Sequence, residues 1–247
     1  MQDDWQRWAA MFDELYLRTY AALLDPADAA GHADAIARLL GLEPGADVLD
    51  CPCGYGRHAI EFARLGLHVV GADGSEVLLA EANRHADDGE WPKWVSADYR
   101  DLPLPDGSFD CVVNLFTSLG YWGDEGDAKA LREFRRVLRP GGRLVVEMMH
   151  RDFLMSFWAG KSWDDLPDGS LVLEDRSFDV ERGMNVVRFE MVEPDGSRHD
   201  ASYELRVYAA TEIVALARGA GFTEIACYGD FEGAPLSRES RLVLVAS

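Results

Sequence analysis

The region between residues 46 and 150 alternates short apolar runs with longer segments in which apolar residues recur every three or four positions. The short runs are typical of strands, and the longer segments are typical of amphipathic helices. The run from Phe109 to Leu115 is strongly apolar, as expected for a strand buried on both faces. Strands that alternate with helices form a parallel sheet with right-handed crossovers. The sequence therefore predicts an α/β fold.

The residues before this region predict helices. Apolar side chains at helical spacing indicate an amphipathic helix over residues 5–24 and a second helix over about residues 28–40. Gly41 ends the second helix, since glycine is common just after a helix C-terminus. We therefore expect residues 1–44 to form an N-terminal helical cap.

The pattern changes after His150. Short strand-like runs joined by turns predict an antiparallel β meander over residues 151–208. A last helix and two strands follow in residues 209–247. We therefore expect residues 45–150 and 209–247 to form the core domain, with the meander inserted as a subdomain.

Charge and hydropathy exclude several classes of partner. The 247 residues include 44 acidic and 24 basic side chains, which give a net charge of −20. Such a surface repels nucleic-acid phosphates and anionic lipids, so we expect no nucleic acid and no membrane as partner. The sequence has neither a signal-peptide pattern nor a run of about 18 apolar residues. This predicts a cytoplasmic protein.

The four cysteines do not form a metal or redox motif. Cys51 and Cys53 are separated by one residue, which is closer than the C-x-x-C spacing of zinc and redox sites. No second Cys/His pair lies at a useful distance in the sequence. We therefore expect reduced, partly buried thiols and no metal ion.

A glycine-containing loop follows the first predicted strand. That strand ends at Asp50, and Gly54 and Gly56 allow the backbone to approach a ligand closely. With Ala59 they also match the G-x-G-x-x-A pattern of dinucleotide-binding folds, which is weak evidence by itself. Asp73 ends the next strand, nineteen residues after Gly54, where a carboxylate can accept both hydroxyls of a ribose. The alternative is a tight turn followed by a helix cap.

Two carboxylates distinguish between possible adenosine cofactors. Asp50 directly precedes the loop, where its charge suits the ammonium group of an amino acid better than a pyrophosphate. Asp98, after the third strand, can accept a hydrogen bond from an adenine amino group. These features favour a cofactor that contains both an adenosine and an amino acid.

The sequence resembles the class I S-adenosylmethionine-dependent methyltransferases. The matching pieces occur in the family's order within residues 45–150: the loop from Asp50 to Gly56, then Asp73, Asp98-Tyr99, Phe109-Asp110 and Arg139-Pro140-Gly141-Gly142. One departure is Pro52, which stands where the family has its first loop glycine. The resemblance implies a Rossmann-like, seven-stranded, mostly parallel sheet with an antiparallel last strand, with helices on both faces and with the cofactor across the carboxyl ends of the strands.

The resemblance also implies which residues bind S-adenosyl-L-methionine, whose product is S-adenosyl-L-homocysteine. The methionine part falls to Asp50, Gly54 and Gly56, and the ribose to Asp73, with Cys51 and Gly74 as further cofactor contacts. The remaining candidates are Asp98 and Tyr99 for the adenine, Asn114 and Leu115 beneath the sulfonium, and Tyr16 and Tyr20 from a helix that closes the site. Core packing is the alternative role for the two tyrosines.

The acceptor site is less determined by sequence. His150 follows the fifth strand and has the pKa range of a general base, although a loop histidine without a role is the alternative. Candidate acceptor contacts are Tyr121, Arg151, Tyr203 and Arg206. A surface ion pair is the alternative role for Arg151.

These residues favour methyl transfer to the nitrogen or oxygen of a small-molecule acceptor by in-line displacement. Two alternatives stay open: an NAD-dependent oxidoreductase using the same glycine loop, and a non-catalytic protein that binds the cofactor. The inserted meander either covers the acceptor or pairs its edges in a homodimer, so we expect a monomer or a homodimer.

Overall fold

The computed structural model describes residues 11–20 and 26–247. The helices are α1 (Glu14–Tyr20), α2 (Pro26–Leu40), α3 (Arg57–Arg64), α4 (Glu76–His85), α5 (Gly123–Val137), α6 (Arg151–Ser156) and α7 (Ala210–Gly219). The strands are β1 (Asp47–Asp50), β2 (His68–Asp73), β3 (Lys93–Ser96), β4 (Phe109–Asn114), β5 (Leu138–Met148), β6 (Lys161–Asp165), β7 (Leu171–Asp179), β8 (Met184–Val192), β9 (Arg198–Arg206), β10 (Ile225–Tyr228) and β11 (Leu242–Ala246). The helix predicted over residues 5–24 is described only in part, because residues 1–10 and 21–25 lie outside the described range.

Seven strands form one mostly parallel sheet in the order β10-β11-β5-β4-β1-β2-β3. The last strand, β11, runs antiparallel to both β5 and β10. Strand β1 lies between β2 and β4, parallel to both. The predicted α/β fold with an antiparallel last strand is therefore confirmed.

Helices cover both faces of this sheet because neighbouring apolar residues of its strands point to opposite faces, so both faces are apolar. Val48 packs with Ile36 of α2 and Phe62 of α3 on one face. Its neighbour Leu49 packs with Phe134 of α5 and Ile213 of α7 on the other face. Successive residues of a strand point to opposite faces, so a continuous apolar run is what a sheet covered on both sides requires.

A second sheet is antiparallel, in the order β6-β7-β8-β9, and lies within the stretch predicted as an inserted meander. Strand β6 lies at one edge of this sheet and pairs with β7. In the main sheet, β5 starts at Leu138, and its pairing with β4 shifts register between Phe109 and Cys111.

The described part of the chain has neither a membrane-spanning helix nor a cluster of metal-binding side chains. None of the helices in residues 11–20 and 26–247 is long and apolar enough to cross a membrane. The same residues contain no group of three or more His, Cys, Asp or Glu side chains that is placed to hold a metal ion.

Candidate active site

The loop between β1 and α3 depends on two glycines in the left-handed region. Gly54 has φ +56° and Gly56 has φ +80°. A Cβ atom on Gly56 would lie 2.5 Å from Cη2 of Trp94 and 2.9 Å from Cβ of Ala82, whereas a Cβ atom on Gly54 would have nothing within 4 Å. Gly56 is therefore required for packing, and Gly54 faces open space.

Asp50 ends β1 as a buried carboxylate with spare hydrogen-bonding capacity. One of its oxygens, Oδ2, has no hydrogen-bond partner among the described residues. Burial raises the pKa of Asp50 to about 8, while the Arg57 guanidinium and the backbone N–H of Ala59 oppose this shift. A buried acceptor without a partner is costly, so this oxygen suits a positively charged donor.

Asp73 joins the end of β2 to the glycine loop. Its Oδ2 accepts a hydrogen bond from the backbone N–H of Gly54 at 2.8 Å, and its Oδ1 accepts one from the N–H of Ser75, also at 2.8 Å. Burial raises the pKa of Asp73 to about 6, and the backbone N–H groups of Ser75, Gly54 and Gly74 oppose this shift. Ser75 in turn caps α4 and donates to the carbonyl of Phe12. The segment before α1 is thereby joined to the loop.

A cavity opens beside this loop, and we call it the loop cavity. It is lined by Phe12, Tyr16, Asp50, Pro52, Cys53, Gly54, Tyr55, Arg57, His58, Asp73, Leu78, Leu115, Phe116, Thr117, Ser118 and Tyr121. Of the residues predicted to bind the cofactor, its lining includes Tyr16, Asp50, Gly54, Asp73 and Leu115. The others lie outside its lining, namely Cys51, Gly56, Gly74, Asp98, Tyr99, Asn114 and Tyr20. The sequence analysis missed loop residues such as Tyr55, although they adjoin the predicted glycines.

The predicted adenine contacts are engaged elsewhere. Both carboxylate oxygens of Asp98 accept hydrogen bonds from the Arg100 side chain at 2.7–3.0 Å. Tyr99 is a core residue, and its hydroxyl donates to the carbonyl of Ser118 at 3.2 Å. Asn114 is buried and donates from Nδ2 to the carbonyl of Cys51 at 2.9 Å. These side chains shape the loop and the core rather than the lining of the loop cavity.

A larger cavity of about 350 Å³ adjoins the first, and we call it the sheet cavity. It lies between the four-stranded sheet and the residues that follow β4 and β5. Both cavities share five lining residues: Phe12, Tyr16, Phe116, Thr117 and Tyr121. A ligand in the loop cavity and a ligand in the sheet cavity would therefore meet at this shared wall.

Of the residues predicted to contact the acceptor, Tyr121 and Tyr203 line the sheet cavity. Arg206 does not, and its side chain pairs instead with Asp124 at 3.0 Å and with Glu212 at 3.2 Å. Tyr203 and Arg206 are three residues apart on β9, and an odd spacing along a strand places side chains on opposite faces. The two residues therefore do not share one site: Tyr203 faces the sheet cavity and Arg206 does not.

Arg151 and His150 also lie away from the lining of both cavities. Arg151 forms an ion pair with Glu212 at 3.5 Å, which is the alternative that the sequence left open. The buried His150 ring has Nε2 within 3.2 Å of the Ser237 carbonyl and 3.0 Å of the Ser240 carbonyl. Carbonyl oxygens accept hydrogen bonds, so Nε2 carries the proton, and the imidazole is positioned to stabilise the chain before β11.

A buried polar cluster in the sheet cavity was missed from the sequence. Glu174 accepts hydrogen bonds from Ser162 at 3.1 Å and from Tyr20 at 3.4 Å, and it pairs with Arg176. Asn185 also lines this cavity, and its Oδ1 has no partner among the described residues. Alternation along β7 places Glu174 and Arg176 on one face, which was the available signal.

The shared wall contains strained backbone. Phe116 and Thr117 have φ values of +61° and +60°, which side chains other than glycine rarely adopt. The N–H of Phe116 donates to Oε2 of Glu147 at 2.7 Å, and Arg241 donates to Oγ1 of Thr117 at 2.7 Å. The Arg57 guanidinium lies 4.7 Å from the centre of the Phe116 ring. Contacts of this kind hold a strained segment in place, and such segments cluster at functional sites.

Comparison with known proteins shows similarity to methyltransferases over part of the sequence. A family model described as a methyltransferase domain matches residues 48–142. A demethylmenaquinone methyltransferase from Clavibacter sepedonicus is 37% identical over 141 residues, which cover 56% of this chain and 56% of that protein. The chain therefore matches little more than half of that relative's length.

Two solved structures share the fold over almost the whole chain. The CcbJ methyltransferase from Streptomyces caelestis has a TM-score of 0.77 and 24% identity, with 90% of this chain and 92% of that chain covered. CalS10, an amino pentose methyltransferase from Micromonospora echinaspora solved with S-adenosylmethionine bound, has a TM-score of 0.71 and 24% identity, with 94% and 96% covered. With the loop geometry and the sheet order, these matches show that the chain has the fold of known methyltransferases and that its residues 48–142 match a methyltransferase domain.

Proposed function

We propose that this protein transfers a methyl group from S-adenosylmethionine to the nitrogen or oxygen of a small-molecule acceptor. The observation that carries the proposal is the unpartnered, buried oxygen of Asp50, beside the carboxylate of Asp73 in the same loop cavity. One carboxylate suits an ammonium group and the other suits ribose hydroxyls. The names of the relatives above, all methyltransferases, support the same activity.

The residues of the loop cavity fit the cofactor. Asp50 would hold the ammonium group of the methionine part, and Gly54 leaves the space that a ligand needs next to the backbone. Asp73 already accepts two backbone N–H groups, but carboxylate oxygens have further lone pairs for ribose hydroxyls. When bound, S-adenosylmethionine supplies an electrophilic methyl group on a sulfonium sulfur.

The protein's contribution to catalysis is positioning in a dry site. The shared wall is mostly aromatic, with Phe12, Tyr16, Phe116 and Tyr121 on both cavities. Aromatic side chains there exclude water and hold the acceptor in line with the methyl group, and such orientation accounts for a large part of the barrier reduction in displacement reactions. An oxidoreductase using NAD is not supported, since the buried Asp50 carboxylate would face a pyrophosphate.

We propose that the inserted sheet covers the acceptor. Strands β7, β8 and β9 contribute Glu174, Phe189 and Tyr203 to the sheet cavity, which supports a covering role. A homodimer formed through the exposed edges of this sheet is the competing role. Turnover and mass, the latter by light scattering, are measured on the parent and on Tyr203→Leu to distinguish the two roles. Lost turnover at unchanged mass supports the covering role. Unchanged turnover with a shift from dimer to monomer contradicts it.

The best test of the function is turnover against a panel of amine, hydroxyl and thiol acceptors, followed by mass spectrometry for a gain of one methyl group. We expect one acceptor class to gain methyl groups with matching formation of S-adenosylhomocysteine. Formation of S-adenosylhomocysteine without any methylated acceptor, or no binding of S-adenosylhomocysteine at all, would contradict the proposal.

Cofactor binding is expected to release about one proton at pH 7. The raised pKa keeps Asp50 mostly protonated in the free protein, and the ammonium group of the bound cofactor would favour its ionised form. The measurement is calorimetry with S-adenosylhomocysteine in buffers of different ionisation enthalpy. The control is Asp50→Asn, which cannot release this proton. Equal proton release by both proteins would contradict the role of Asp50.

The raised pKa of Asp50 also affects stability. Between its unfolded value of 3.8 and the folded value of about 8, the folded protein binds more protons than the unfolded chain. The contribution of Asp50 to the free energy of unfolding therefore falls as the pH rises through this window. Urea unfolding of the ligand-free protein at pH 5.5 and at pH 8, compared with Asp50→Asn, should show a pH dependence that is smaller in the variant.

His150→Gln is expected to keep turnover within about threefold of the parent at a lower melting temperature. The reason is that the buried ring lines neither cavity, so its unprotonated Nδ1 does not reach an acceptor, whereas its Nε2 donates to the backbone carbonyls of Ser237 and Ser240 and stabilises that segment. Initial rates and thermal unfolding of the two proteins check this. A loss of turnover of about a hundredfold in a variant that melts like the parent would instead establish His150 as the base.

A further inference from the structure

Five aromatic side chains form a closed circuit, which we call the aromatic collar. Ring centroids lie 4.9 Å apart for Phe12 and Tyr16, 5.1 Å for Tyr16 and Tyr20, 6.1 Å for Tyr121 and Tyr203, and 5.4 Å for Phe12 and Tyr121. The circuit closes through the hydroxyls of Tyr20 and Tyr203, which are 3.2 Å apart.

The collar lies where the two cavities meet. Phe12, Tyr16 and Tyr121 line both cavities, whereas Tyr20 and Tyr203 line the sheet cavity. A group that leaves the loop cavity for the sheet cavity would therefore pass these rings. The collar is built from three separate parts of the chain: the segment with α1, the loop after β4 and the strand β9.

Ring faces and a nearby carboxylate make the collar attractive to positive charge. The Tyr20 hydroxyl lies 3.4 Å from the Glu174 carboxylate and 3.2 Å from the Tyr203 hydroxyl, so the two phenols and the carboxylate form one hydrogen-bonded chain. Burial raises the pKa of Tyr20 and of Tyr203, so both phenols keep their protons. The faces of the tyrosine rings attract cations, and the Glu174 carboxylate adds negative charge that its ion pair with Arg176 offsets in part.

The shared wall lacks the groups that a hydroxyl acceptor needs. Among the described residues that line both cavities, only Phe, Tyr and Thr side chains occur, so no carboxylate, imidazole or amine there can remove a proton. An alcohol must lose its proton to become a good nucleophile, whereas a neutral amine already has a free electron pair.

Charge movement distinguishes the two acceptor types as well. An alkoxide acceptor cancels the positive charge of the donor, so a site that attracts cations loses its interaction as the reaction proceeds. A neutral amine takes over the positive charge. A collar that attracts cations would then interact with the positive charge throughout the reaction and with the product.

We propose that the acceptor is an amine and that the aromatic collar binds its nitrogen, as a neutral nucleophile before transfer and as an ammonium product after it. The inference rests on the proposed methyltransferase function. The amine nitrogen uses its lone pair to form the new N–C bond, the electron pair of the broken C–S bond stays on sulfur, and the nitrogen becomes positively charged. Any N–H proton of a primary or secondary amine then leaves to solvent.

The test uses a cation and a neutral molecule of the same shape. Choline chloride has a positively charged quaternary nitrogen at the position where 3,3-dimethylbutan-1-ol has a neutral quaternary carbon. Each is titrated by calorimetry into protein saturated with S-adenosylhomocysteine, which carries no sulfonium charge. We expect choline to bind about tenfold more tightly, the size of a largely desolvated cation–π interaction.

Variants locate the preference. Tyr203→Leu removes a collar ring and should reduce the preference for choline to about twofold or less, while Tyr203→Phe keeps the ring and should retain most of it. Phe157→Leu removes an exposed aromatic ring that lines the same cavity and packs against Phe153 rather than against the collar, and its preference for choline should match the parent. Affinity for S-adenosylhomocysteine is measured on every variant to show that each one is folded.

The possible outcomes separate the two proposals. Equal binding of choline and 3,3-dimethylbutan-1-ol by protein that binds S-adenosylhomocysteine overturns the amine assignment and leaves the methyltransferase function standing. A preference for choline that survives in Tyr203→Leu also overturns the role of the collar. Absence of S-adenosylhomocysteine binding by the parent overturns the proposed function, and this inference with it.

Discussion

Replacing Asp73 with alanine is expected to weaken binding of S-adenosylhomocysteine by about 1.5–3 kcal/mol, which is roughly tenfold to a hundredfold in Kd. The substitution removes the acceptor that we assign to the ribose hydroxyls. It also removes the acceptor of the backbone N–H groups of Gly54 and Ser75, each 2.8 Å from the carboxylate. Calorimetry gives the affinity, and circular dichroism with thermal unfolding shows whether the variant is folded.

The matched control for Asp73 is Glu76→Ala. Glu76 is an exposed carboxylate in the first turn of α4, three residues along the chain, and it lines neither cavity. Its removal makes the net charge of −20 less negative by one, as Asp73→Ala does, so it controls for long-range electrostatics. We expect its affinity to stay within about twofold of the parent, since a charge at a helix N-terminus contributes only fractions of a kcal/mol. A folded Asp73→Ala protein that binds like the parent would show that the ribose assignment is wrong.

The largest stability effect is expected for Gly56→Ala. The new Cβ atom would lie 2.5 Å from Trp94 and 2.9 Å from Ala82, at a residue with φ +80°. A left-handed alanine costs about 1–2 kcal/mol, and overpacking adds about 1–3 kcal/mol. We therefore expect the free energy of unfolding to fall by about 2–5 kcal/mol, measured by urea unfolding.

Gly54→Ala is the matched comparison for Gly56→Ala. It has a similar φ of +56°, but its Cβ atom would meet nothing within 4 Å. The stability loss should therefore be only about 1–2 kcal/mol, the cost of the left-handed conformation. Because Gly54 lines the loop cavity, the main effect of the added methyl group should be a reduced affinity for S-adenosylhomocysteine. Equal destabilisation by the two substitutions would contradict the close packing of the loop against Trp94.

Much of the main sheet could be predicted from the sequence because its determinants are local. Asp50 and Asp73 each end an apolar run. The glycines that follow Asp50 can adopt the positive φ values that a tight connection between strand and helix requires. Parallel strands bring their carboxyl ends to one edge, so the sequence order was enough to place these carboxylates together. The structure has both of them in the lining of one cavity.

The acceptor side depended on contacts that no local pattern encodes. Tyr20 and Tyr203 are 183 positions apart, and their hydroxyls meet only because the inserted sheet folds over α1. Glu174 and Arg176 form an acidic and basic pair in a strand, a pattern that is normally solvated, yet they line a cavity. His150 was placed correctly after β5, but which way its ring faces is decided by the chain near Ser240.

The most direct measurement of the central claim is a calorimetric titration of the protein with S-adenosylhomocysteine and, separately, with NAD. Both ligands contain an adenosine, but only the first carries an amino acid with an ammonium group, which is the partner that we propose for the unpartnered oxygen of Asp50. We predict saturable binding of one S-adenosylhomocysteine per chain, weakened in Asp50→Asn and in Asp73→Ala, and no saturable binding of NAD. Saturable binding of NAD with none of S-adenosylhomocysteine would contradict the account.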